Sequence, residues 1–585
     1  MAESSASSAS PSTRGGTPSH SGVDPTPDAS SRVVSPKQGQ GRNLGGGAVR
    51  FAPAPPPSGR PDLSLALVQV LCRHGDRTSI NPLPNETREH WRKHLPSEQL
   101  ERSLSAAASP SPPNPTLVDQ LFNRAAWHGQ LTTQGVAQLT DTGRAMRRWL
   151  VDDLALLPSD AATAVNEGRV KVRSTGTKRT VQSAQSLISG LYPELVRGGD
   201  ASATPIPVEV RERERESMFP NPAMRCARLL ELMRKLDKDD RVKAAEAAAW
   251  AREGLRATRD AVHARNVETR RKKREEARKK AREMNGGIYS SSSSSSSSKF
   301  GGGAGESAAA SVSERPERKK DKKDAHHLKG TDPADAHVPK HLLADPKPPS
   351  ATAVWEPLQA RANHGLPLPP GVGAEDLALI RAAAETRHVH RAASSEAASL
   401  AGGRLLRELA DEAHAVVEFM RAERGDGAVD DAVVGGFAVP RTQRLSVYSG
   451  HDTSIIALLA VLGVFQGEWP PVASTVVLET WTKEAPANGT VHPHWVDRAA
   501  GGADDDAAAA AASGSSSGSS IAPDDDGGAA VRVIVNGRAV ELPGCVGQDP
   551  MHRGGLCSLD AFRAMTEALV PVDYDGACSS AGKTK

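Results

Sequence analysis

The chain has 585 residues, enough for two or three domains by length alone. Its 52 glycines, its 42 prolines and an aromatic content of only 3% exclude a chain that is folded throughout, because much of this length cannot bury a hydrophobic core. A net charge of +3 gives no reason to expect nucleic acid or another polyanion as a partner.

The first predicted element after a disordered tail is a buried strand, Leu65–Cys72, and it ends at the pentapeptide RHGDR. A short, continuous apolar run is typical of a strand that is covered on both faces. In open α/β sheets, ligands bind where such strands end. Arg73 and Arg77 suit a phosphoryl group because each guanidinium can donate paired hydrogen bonds, and Gly75 permits a close backbone approach. His74, held between the arginines, could attack phosphorus.

Two more strand–turn–helix junctions follow. The strand Val170–Arg173 ends at an arginine, and the strand Leu445–Tyr448 leads to His451 and Asp452. Each strand precedes a predicted helix. If these strands are parallel neighbours of the first, the side chains from all three junctions converge at one edge of the sheet.

The residues at these junctions fit phosphoryl transfer to a histidine. His74 would be the nucleophile and would form a covalent phosphohistidine. Asp452 would protonate the leaving oxygen and then assist the attack of water. The phosphate-binding group would comprise Arg73, Arg77, Arg173 and a protonated His451. We predict no cofactor and no metal, since the histidines lack ligand spacing and the arginines supply the positive charge.

The intervening segments define the predicted boundaries. Residues 1–60 are predicted to be a disordered tail, and residues 61–585 a single catalytic domain. Within it, residues 237–345 form a charged and Ser-rich insert, expected to be disordered or a single helix, and residues 499–529 form a low-complexity loop. Residues 104–116 are predicted to be a Ser/Pro loop.

Three local signals are specific enough to test. Thr132 is a predicted N-cap for a helix over Thr133–Val151. Asn536-Gly537 predicts a tight hairpin turn. The strands on either side of the 499–529 insert are predicted to be neighbours.

The sequence resembles the histidine acid phosphatases, branch 2 of the histidine phosphatase superfamily. The stretches that carry the resemblance are RHGDRT (Arg73–Thr78), GQLTTQGVAQLTDTGRAMR (Gly129–Arg147), VRSTGTKRTVQSAQSLISGLYP (Val172–Pro193), YSGHDTSIIALLAVLG (Tyr448–Gly463), WPPVASTVVLETW (Trp469–Trp481) and VNGRAVELPGC (Val535–Cys545). The resemblance implies a phosphoglycerate mutase-like α/β fold, in which helices flank a central, mostly parallel sheet. It also implies a smaller, mainly helical cap built from Thr87–Trp127, Arg211–Leu236 and Trp355–Glu423, and the six residue roles given above.

Within this family the sequence is similar to the lysophosphatidic acid phosphatase type, through INPLP (Ile80–Pro84), MFPNPAMRC (Met218–Cys226) and GLCSLDAF (Gly555–Phe562). The expected partner is therefore a small phosphomonoester, with a lysophospholipid as the leading substrate. A phytase or sugar-phosphate phosphatase, and a catalytically weak scaffold protein, are the alternatives. Ser79 replaces a proline that many members have, which predicts a looser loop, and Gly176 replaces an acidic or amide residue.

The sequence leaves the location and the oligomeric state open. The longest apolar run, Ile455–Phe465, is well short of the roughly 20 residues of a membrane span. The N-terminus lacks the apolar segment of a secretory signal, and it fits an organellar (mitochondrial or plastid) transit peptide or a plain cytoplasmic tail. The five cysteines are not a disulfide scaffold, although Cys545 and Cys557 are placed to form a bridge.

Overall fold

The computed structural model describes residues 51–57, 60, 62–111, 127–197, 205–221, 225–290, 338–422, 433–434, 437–483, 528–545 and 555–579. Its strands are β1 Ser64–Arg73, β2 Ala108–Ser111, β3 Val170–Ser174, β4 Ile206–Val210, β5 Val433–Val434, β6 Phe437–Ala438, β7 Leu445–Gly450, β8 Thr475–Thr482, β9 Ala529–Val535, β10 Arg538–Val540 and β11 Leu556–Ser558.

Nine of these strands form one mixed sheet in the order β10-β9-β8-β1-β7-β3-β4-β2, with β11 also paired to β9. On one side of β1, the neighbouring strands in the order β1-β7-β3-β4-β2 pair parallel. On its other side, the neighbouring strands in the order β1-β8-β9-β10 pair antiparallel. The strands of the three junctions are therefore adjacent and parallel, in the order β1-β7-β3. This arrangement brings their carboxyl ends to one edge, as the sequence predicts.

The helices of the described residues are α1 Arg88–Trp91, α2 Glu98–Ala107, α3 Thr133–Arg147, α4 Ala161–Asn166, α5 Lys178–Leu191, α6 Glu194–Arg197, α7 Ala227–Leu236, α8 Asp240–Ala251, α9 Glu253–Ser290, α10 Lys340–Leu343, α11 Ala351–Asn363, α12 Ala374–Ala392, α13 Ser395–Ala422, α14 Asp452–Val461, α15 Leu559–Leu569 and α16 Tyr574–Cys578. A π-helical turn, Arg148–Asp153, continues α3. The side chain of Thr132 accepts from Gly135 N, so the predicted N-cap of α3 is confirmed.

Helices cover both faces of the sheet, which confirms the predicted α/β class. On one face, residues of α3 and α5, such as Leu139 and Leu187, pack on Val68 and Val70 of β1. On the other face, helices α13, α14 and α15 pack on the remaining side chains of the sheet through residues such as Leu405. The sheet is thus buried on both sides, which explains the unbroken apolar run in β1.

A separate hydrophobic cluster forms the helical cap. Ala249 of α8, Leu255 of α9, Trp355 of α11 and Ile380 of α12 belong to it. The start of the predicted 237–345 insert is therefore packed rather than disordered, because its apolar side chains have partners on α11 and α12. The long helix α9 agrees with the other alternative given for the insert, a single helix. Residues 291–337 of this insert lie outside the described residues. The resemblance also assigned all of Trp355–Glu423 to the cap, but α13 flanks the sheet instead.

Two more expectations need correction at their boundaries. Phe51, within the predicted tail, is buried against Trp149, with ring centroids 6.1 Å apart. Pro55 O accepts a hydrogen bond from Arg532, so the chain joins the fold before residue 61. The predicted 104–116 loop instead contains the end of α2 and the edge strand β2, where Pro110 is tolerated because the strand is at the edge of the sheet.

The C-terminal part of the fold follows the sequence closely. Strands β8 and β9 pair antiparallel across the low-complexity insert, as predicted, and residues 484–527 between them lie outside the described residues. Asn536 and Gly537 both have positive φ, 49° and 82°, and connect β9 to β10 in the predicted hairpin. Cys545 and Cys557 form a disulfide, and a second bridge joins Cys226 to Cys578. Among the described helices, none is long and apolar enough to cross a membrane.

Candidate active site

The ends of β1 and β7 bring the first and third junctions together. Arg73 is the register partner of Gly450, and His74 N donates to Gly450 O at 3.0 Å. His451 and Asp452 follow at the start of α14. His74 and His451 are 377 residues apart in the sequence. They are neighbours in the fold because parallel strands end at the same edge of the sheet.

Two glycines let the RHGDR loop press against the first turn of α3. A Cβ on Gly75 would lie 2.4 Å from Gly135 O, and a Cβ on Gly135 would lie 2.2 Å from Asp76 O. Both distances are shorter than any allowed contact, so the loop requires glycine at both positions. The close approach expected for Gly75 is present, and it holds His74 against the scaffold.

The geometry around His74 defines its tautomer. Its ring is buried, and Nδ1 lies 2.8 Å from Gly75 O. A carbonyl only accepts, so Nδ1 carries the hydrogen and Nε2 carries the lone pair. Burial, followed by the positive charges of Arg179, Arg73 and Arg77, holds the pKa of His74 well below its usual value. The imidazole is therefore neutral and has a free nucleophilic nitrogen.

Arg73 and Arg77 are both anchored by carboxylates. Arg73 Nη2 lies 3.0 Å from Asp452 Oδ2, and its Nη1 donates to Pro470 O. Arg77 Nη1 donates to Thr78 O at 3.0 Å and to Glu356 on α11. Arg73 is thus held through both of its terminal nitrogens, and Arg77 through Nη1.

The second junction contributes an arginine, but it is not Arg173. The guanidinium of Arg173 donates to Glu216 at 2.5 Å, to Ser217 at 2.7 Å and to Glu408 on α13 at 2.6 Å. It also lies over the ring of Tyr448, its register partner on β7. On this geometry we correct the prediction that Arg173 belongs to the phosphate-binding group, because its donors are already paired with the scaffold.

Arg179, which the sequence reasoning missed, occupies the expected place. It lies in the first turn of α5, and its Nη2 is 3.3 Å from His451 Nδ1. Burial and the neighbouring Arg77 lower the pKa of Arg179 to about 10. The third junction could have pointed to Arg179 in the sequence, because the site residues of that junction also lie at the start of the helix rather than at the end of the strand.

We call Arg73, Arg77 and Arg179 the arginine cluster. Among the residues that the structure describes, the buried Nε–H of each of the three has no hydrogen-bond partner. A buried donor without a partner destabilises a fold, so its presence calls for an explanation. An anion with several oxygens, bound beside His74, would satisfy these donors together.

His451 is neutral in this structure, in contrast to the predicted protonated form. Since Arg179 only donates, His451 Nδ1 accepts, and its Nε2–H donates to Thr175 Oγ1 at 3.0 Å. Burial and the charge of Arg179 lower the pKa of His451 to about 3. Its ring packs against Phe219, with centroids 5.4 Å apart, and against His74 at 5.7 Å.

Asp452 is ionised. Burial alone would raise its pKa, but the guanidinium groups of Arg73 and Arg77 outweigh this effect and hold the pKa below its usual value. Asp452 Oδ1 also accepts from Thr453 N at 2.7 Å. A carboxyl group in this position becomes an acid only at low pH or when a bound anion offsets the arginines.

Asp76 of the RHGDR loop points away from this group and ties the loop to the cap. Its Oδ2 accepts from Thr132 Oγ1 at 2.7 Å and lies 2.5 Å from His364 Nε2. His364 in turn contacts His94, with the two Nδ1 atoms 3.1 Å apart. Asp76 therefore has a structural environment and belongs to a link between the loop, α3 and the cap.

The loop after Arg77 is firmly held despite Ser79. Ser79 Oγ donates to Glu86 Oε1 at 2.8 Å, and the same carboxylate accepts from Leu83 N at 2.9 Å and from Trp91 Nε1 at 2.7 Å. These bonds correct the expectation of a looser loop, since the serine hydroxyl supplies an anchor that proline lacks. Within the described ranges, no cluster of three or more His, Cys, Asp or Glu side chains could hold a metal ion.

The fold and this site define a histidine phosphatase. The sequence profile of the Histidine phosphatase superfamily (branch 2) matches residues 64–265 and 379–496, more than half of the chain. The chain belongs to this family, as the resemblance implied.

Several characterised proteins are similar to the chain. Counting factor 60 of Dictyostelium discoideum is 32% identical over 194 residues, which are 31% of this chain and 45% of that protein. Lysophosphatidic acid phosphatase type 6 of Bos taurus is 30% identical over 170 residues, 27% of this chain and 37% of that protein. The chain thus spans less than half the length of these two relatives. Testicular acid phosphatase of Homo sapiens is 24% identical over 428 residues, 72% of this chain and 69% of that protein.

Among solved structures, the phytase of Hafnia alvei in complex with myo-inositol hexakis sulphate is 13% identical. It covers 88% of this chain and 99% of its own, with a TM-score of 0.44.

Proposed function

We propose that the protein hydrolyses phosphomonoesters through a covalent phosphohistidine at His74. The observation that carries this proposal is a neutral, buried imidazole beside three Nε–H donors, from Arg73, Arg77 and Arg179, that have no partner within the described part of the chain. A phosphoryl group has the oxygens that these donors lack, and its charge matches theirs. Family membership supports the same reaction.

In the first step, His74 Nε2 attacks phosphorus while the bond from phosphorus to the ester oxygen breaks. The hydrogen bond from Nδ1 to Gly75 O keeps Nε2 unprotonated and fixes the ring plane. The arginine cluster stabilises the charge on the oxygens of the transferring group. Asp452 donates a proton to the leaving oxygen, so the alcohol departs neutral.

In the second step, a water molecule attacks phosphorus and the bond from Nε2 to phosphorus breaks. The Asp452 carboxylate takes the proton from this water, and inorganic phosphate leaves. The acid is thereby regenerated in the protonation state of the first step. Because Arg73 and Arg77 lower the pKa of Asp452, this cycle favours acidic pH, where the carboxyl group more readily holds its proton.

The leading substrate class is a lipid phosphate that resembles lysophosphatidic acid. Phe219 stacks on His451, and Trp469 packs edge-on against His388, with centroids 4.8 Å apart. The half-buried ring of Phe219 offers apolar surface beside the proposed phosphoryl site, whereas Trp469 is buried in the cap. The similarity to lysophosphatidic acid phosphatase type 6 points in the same direction. Phytate and sugar phosphates are the competing substrates.

Hydrolysis of p-nitrophenyl phosphate at acidic pH tests the reaction. We expect turnover by the wild type and none by His74→Ala. Protein denatured during turnover of a labelled substrate should carry a label that is lost in acid and kept in alkali, as a phosphorus–nitrogen bond requires, and His74→Ala should carry none. A wild type no faster than His74→Ala would overturn the proposal and favour the scaffold alternative. Phosphate release from lysophosphatidic acid, inositol hexakisphosphate and glucose 6-phosphate then ranks the substrates.

We also propose an oxidising compartment for the folded protein. Disulfides are rare where glutathione and thioredoxin keep thiols reduced, and this fold contains two. Alkylation of protein from its source cells, with and without prior reduction, measures their state. Four alkylated cysteines without reduction, in addition to any at the free Cys72, would contradict this proposal.

A further inference from the structure

A carboxylate from the cap reaches the arginine cluster. Glu356 lies on α11, outside both stretches that match the family profile. Its Oε1 accepts from Arg77 Nη1 and, at 3.0 Å, from Ile80 N. Its Oε2 lies 3.4 Å from Asn81 N. The cap thus holds both an arginine of the site and the backbone that follows it.

We propose that Glu356 is a positioning residue, which orients Arg77 so that its Nε edge stays available to the phosphoryl group. This inference rests on the proposed phosphatase reaction. It adds a residue that the family profile does not cover.

The planarity of the guanidinium group carries the argument. Arg77 Nη1 is held by Thr78 O and by Glu356, while its buried Nε finds no partner among the residues described. Because the group is rigid, fixing Nη1 also fixes the direction in which Nε–H donates. Without Glu356, Thr78 O alone would hold Nη1, and the plane could rotate about that single bond.

Burial makes this contact effective. The side chain of Arg77 is 8% exposed and that of Glu356 is 16% exposed, so water screens the pair only weakly. A second carboxylate, Glu86, secures Ser79 and Leu83 but makes no contact with a guanidinium of the cluster among its hydrogen bonds. The two carboxylates therefore have separate roles: Glu86 holds the loop, and Glu356 holds both loop and arginine.

Glu356 could also have the opposite role, and the two roles predict changes of opposite sign in phosphate affinity when Glu356 is removed. A carboxylate beside three arginines could act as an internal competitor of phosphate, in which case its removal would tighten anion binding. Orientation of Arg77 predicts weaker binding instead. The sign of the change in phosphate affinity therefore separates the two roles.

Glu356→Ala, Glu356→Gln and Thr352→Ala form the test set. Thr352 lies one turn earlier on α11, and its buried hydroxyl has no hydrogen-bond partner within the described ranges, so its removal is a matched control. We measure the Kd of inorganic phosphate by calorimetry, and kcat and KM for p-nitrophenyl phosphate. We expect Glu356→Ala to weaken phosphate binding and to raise KM about tenfold, the effect of losing one charge-assisted hydrogen bond.

The glutamine variant keeps a carbonyl acceptor for Arg77 and removes the charge. We expect its Kd and KM to return to within about threefold of the wild type, since a neutral acceptor still orients the guanidinium. We expect Thr352→Ala to match the wild type. A structural role alone would shift the thermal midpoint without this difference between alanine and glutamine.

Two outcomes overturn the inference: unchanged or tighter phosphate binding in Glu356→Ala, or equal losses in the alanine and glutamine variants. Failure of the proposed function is separate. If the phosphate Kd values of the variants follow the expected order but the wild type does not hydrolyse p-nitrophenyl phosphate, the positioning role stands and the proposed reaction fails. If the wild type hydrolyses this substrate but the Kd values do not follow that order, the reaction stands and the positioning role fails.

Discussion

Two groups of buried arginines lie beside the same sheet, and they differ in their partners. Arg173 and Arg211 are neutralised by carboxylates, with Glu408 shared between them at 2.6 and 2.9 Å. The arginine cluster of Arg73, Arg77 and Arg179 keeps three Nε–H donors that have no partner in the part of the chain that the structure describes. The type of residue is the same in both groups.

The comparison shows that partners, rather than residue type or burial, separate a scaffold arginine from a candidate binding arginine. Burying a charge is costly unless it is paired, and the first group meets this condition within the fold. The second group meets it only in part, through Asp452 and Glu356. The remaining donors are available for a ligand.

Arg173→Met should give the largest effect, on stability rather than on binding. Removing it leaves Glu216 and Glu408 buried without their main counter-charge, which is expected to lower the free energy of unfolding by about 3–5 kcal/mol. Denaturant titration measures this loss. Unchanged stability together with abolished phosphate binding would return Arg173 to the site and remove the distinction between the two groups.

Arg179→Ala should give the next largest effect, on catalysis. Loss of one preorganised donor to a developing oxyanion typically lowers kcat by about 10²–10³-fold. We expect the folded protein to persist, since Arg179 has no carboxylate partner that would be left unpaired among the hydrogen bonds described. Steady-state kinetics with p-nitrophenyl phosphate measures the change, and activity within a factor of three of wild type would contradict the role.

The pH dependence of stability tests the environment of His451, which lies beside the arginine cluster. His451 has its pKa lowered from 6.5 to about 3, so the unfolded chain binds its proton first as the pH falls through this window. Stability therefore declines below pH 6.5, and at pH 5 His451 alone should lower the free energy of unfolding by about 2 kcal/mol.

His451→Asn should flatten this decline when the free energy of unfolding is followed from pH 7 to pH 5. The exposed His341 supplies the control, because His341→Asn removes an imidazole at the surface of the fold. Identical pH profiles for wild type and His451→Asn would show that burial and the arginine cluster do not hold the imidazole neutral.

Arg213→Ala should give the smallest effect. Arg213 is exposed and lies over Phe219, 5.3 Å from the ring centroid, at the outer side of His451. An exposed cation–π contact is worth about 0.5–1 kcal/mol, so loss of this support for the Phe219 ring should change KM by no more than about two- to fivefold. A larger loss for inositol hexakisphosphate than for p-nitrophenyl phosphate would make Arg213 a second contact for polyanionic substrates, and would favour a phytase.

The chain itself determined the strands, their junctions and most of the chemistry. The apolar run of β1 predicts a strand covered on both faces, and the RHGDR and His451-Asp452 segments follow strands that prove to be adjacent and parallel. These features are local, because strand patterning and the residues after a strand depend on a few neighbours in sequence. The N-cap Thr132 and the Asn536-Gly537 turn are predictable for the same reason.

Only the tertiary structure decided which arginine of VRSTGTKRT faces His74. The register of β3 against β7 turns Arg173 toward Glu408, and the first turn of α5 brings Arg179 to His451. It also brought Glu356 to Arg77 across 279 residues and paired Cys226 with Cys578 across 352. Such contacts depend on partners far along the chain, and neither local propensity nor hydrophobic period specifies them.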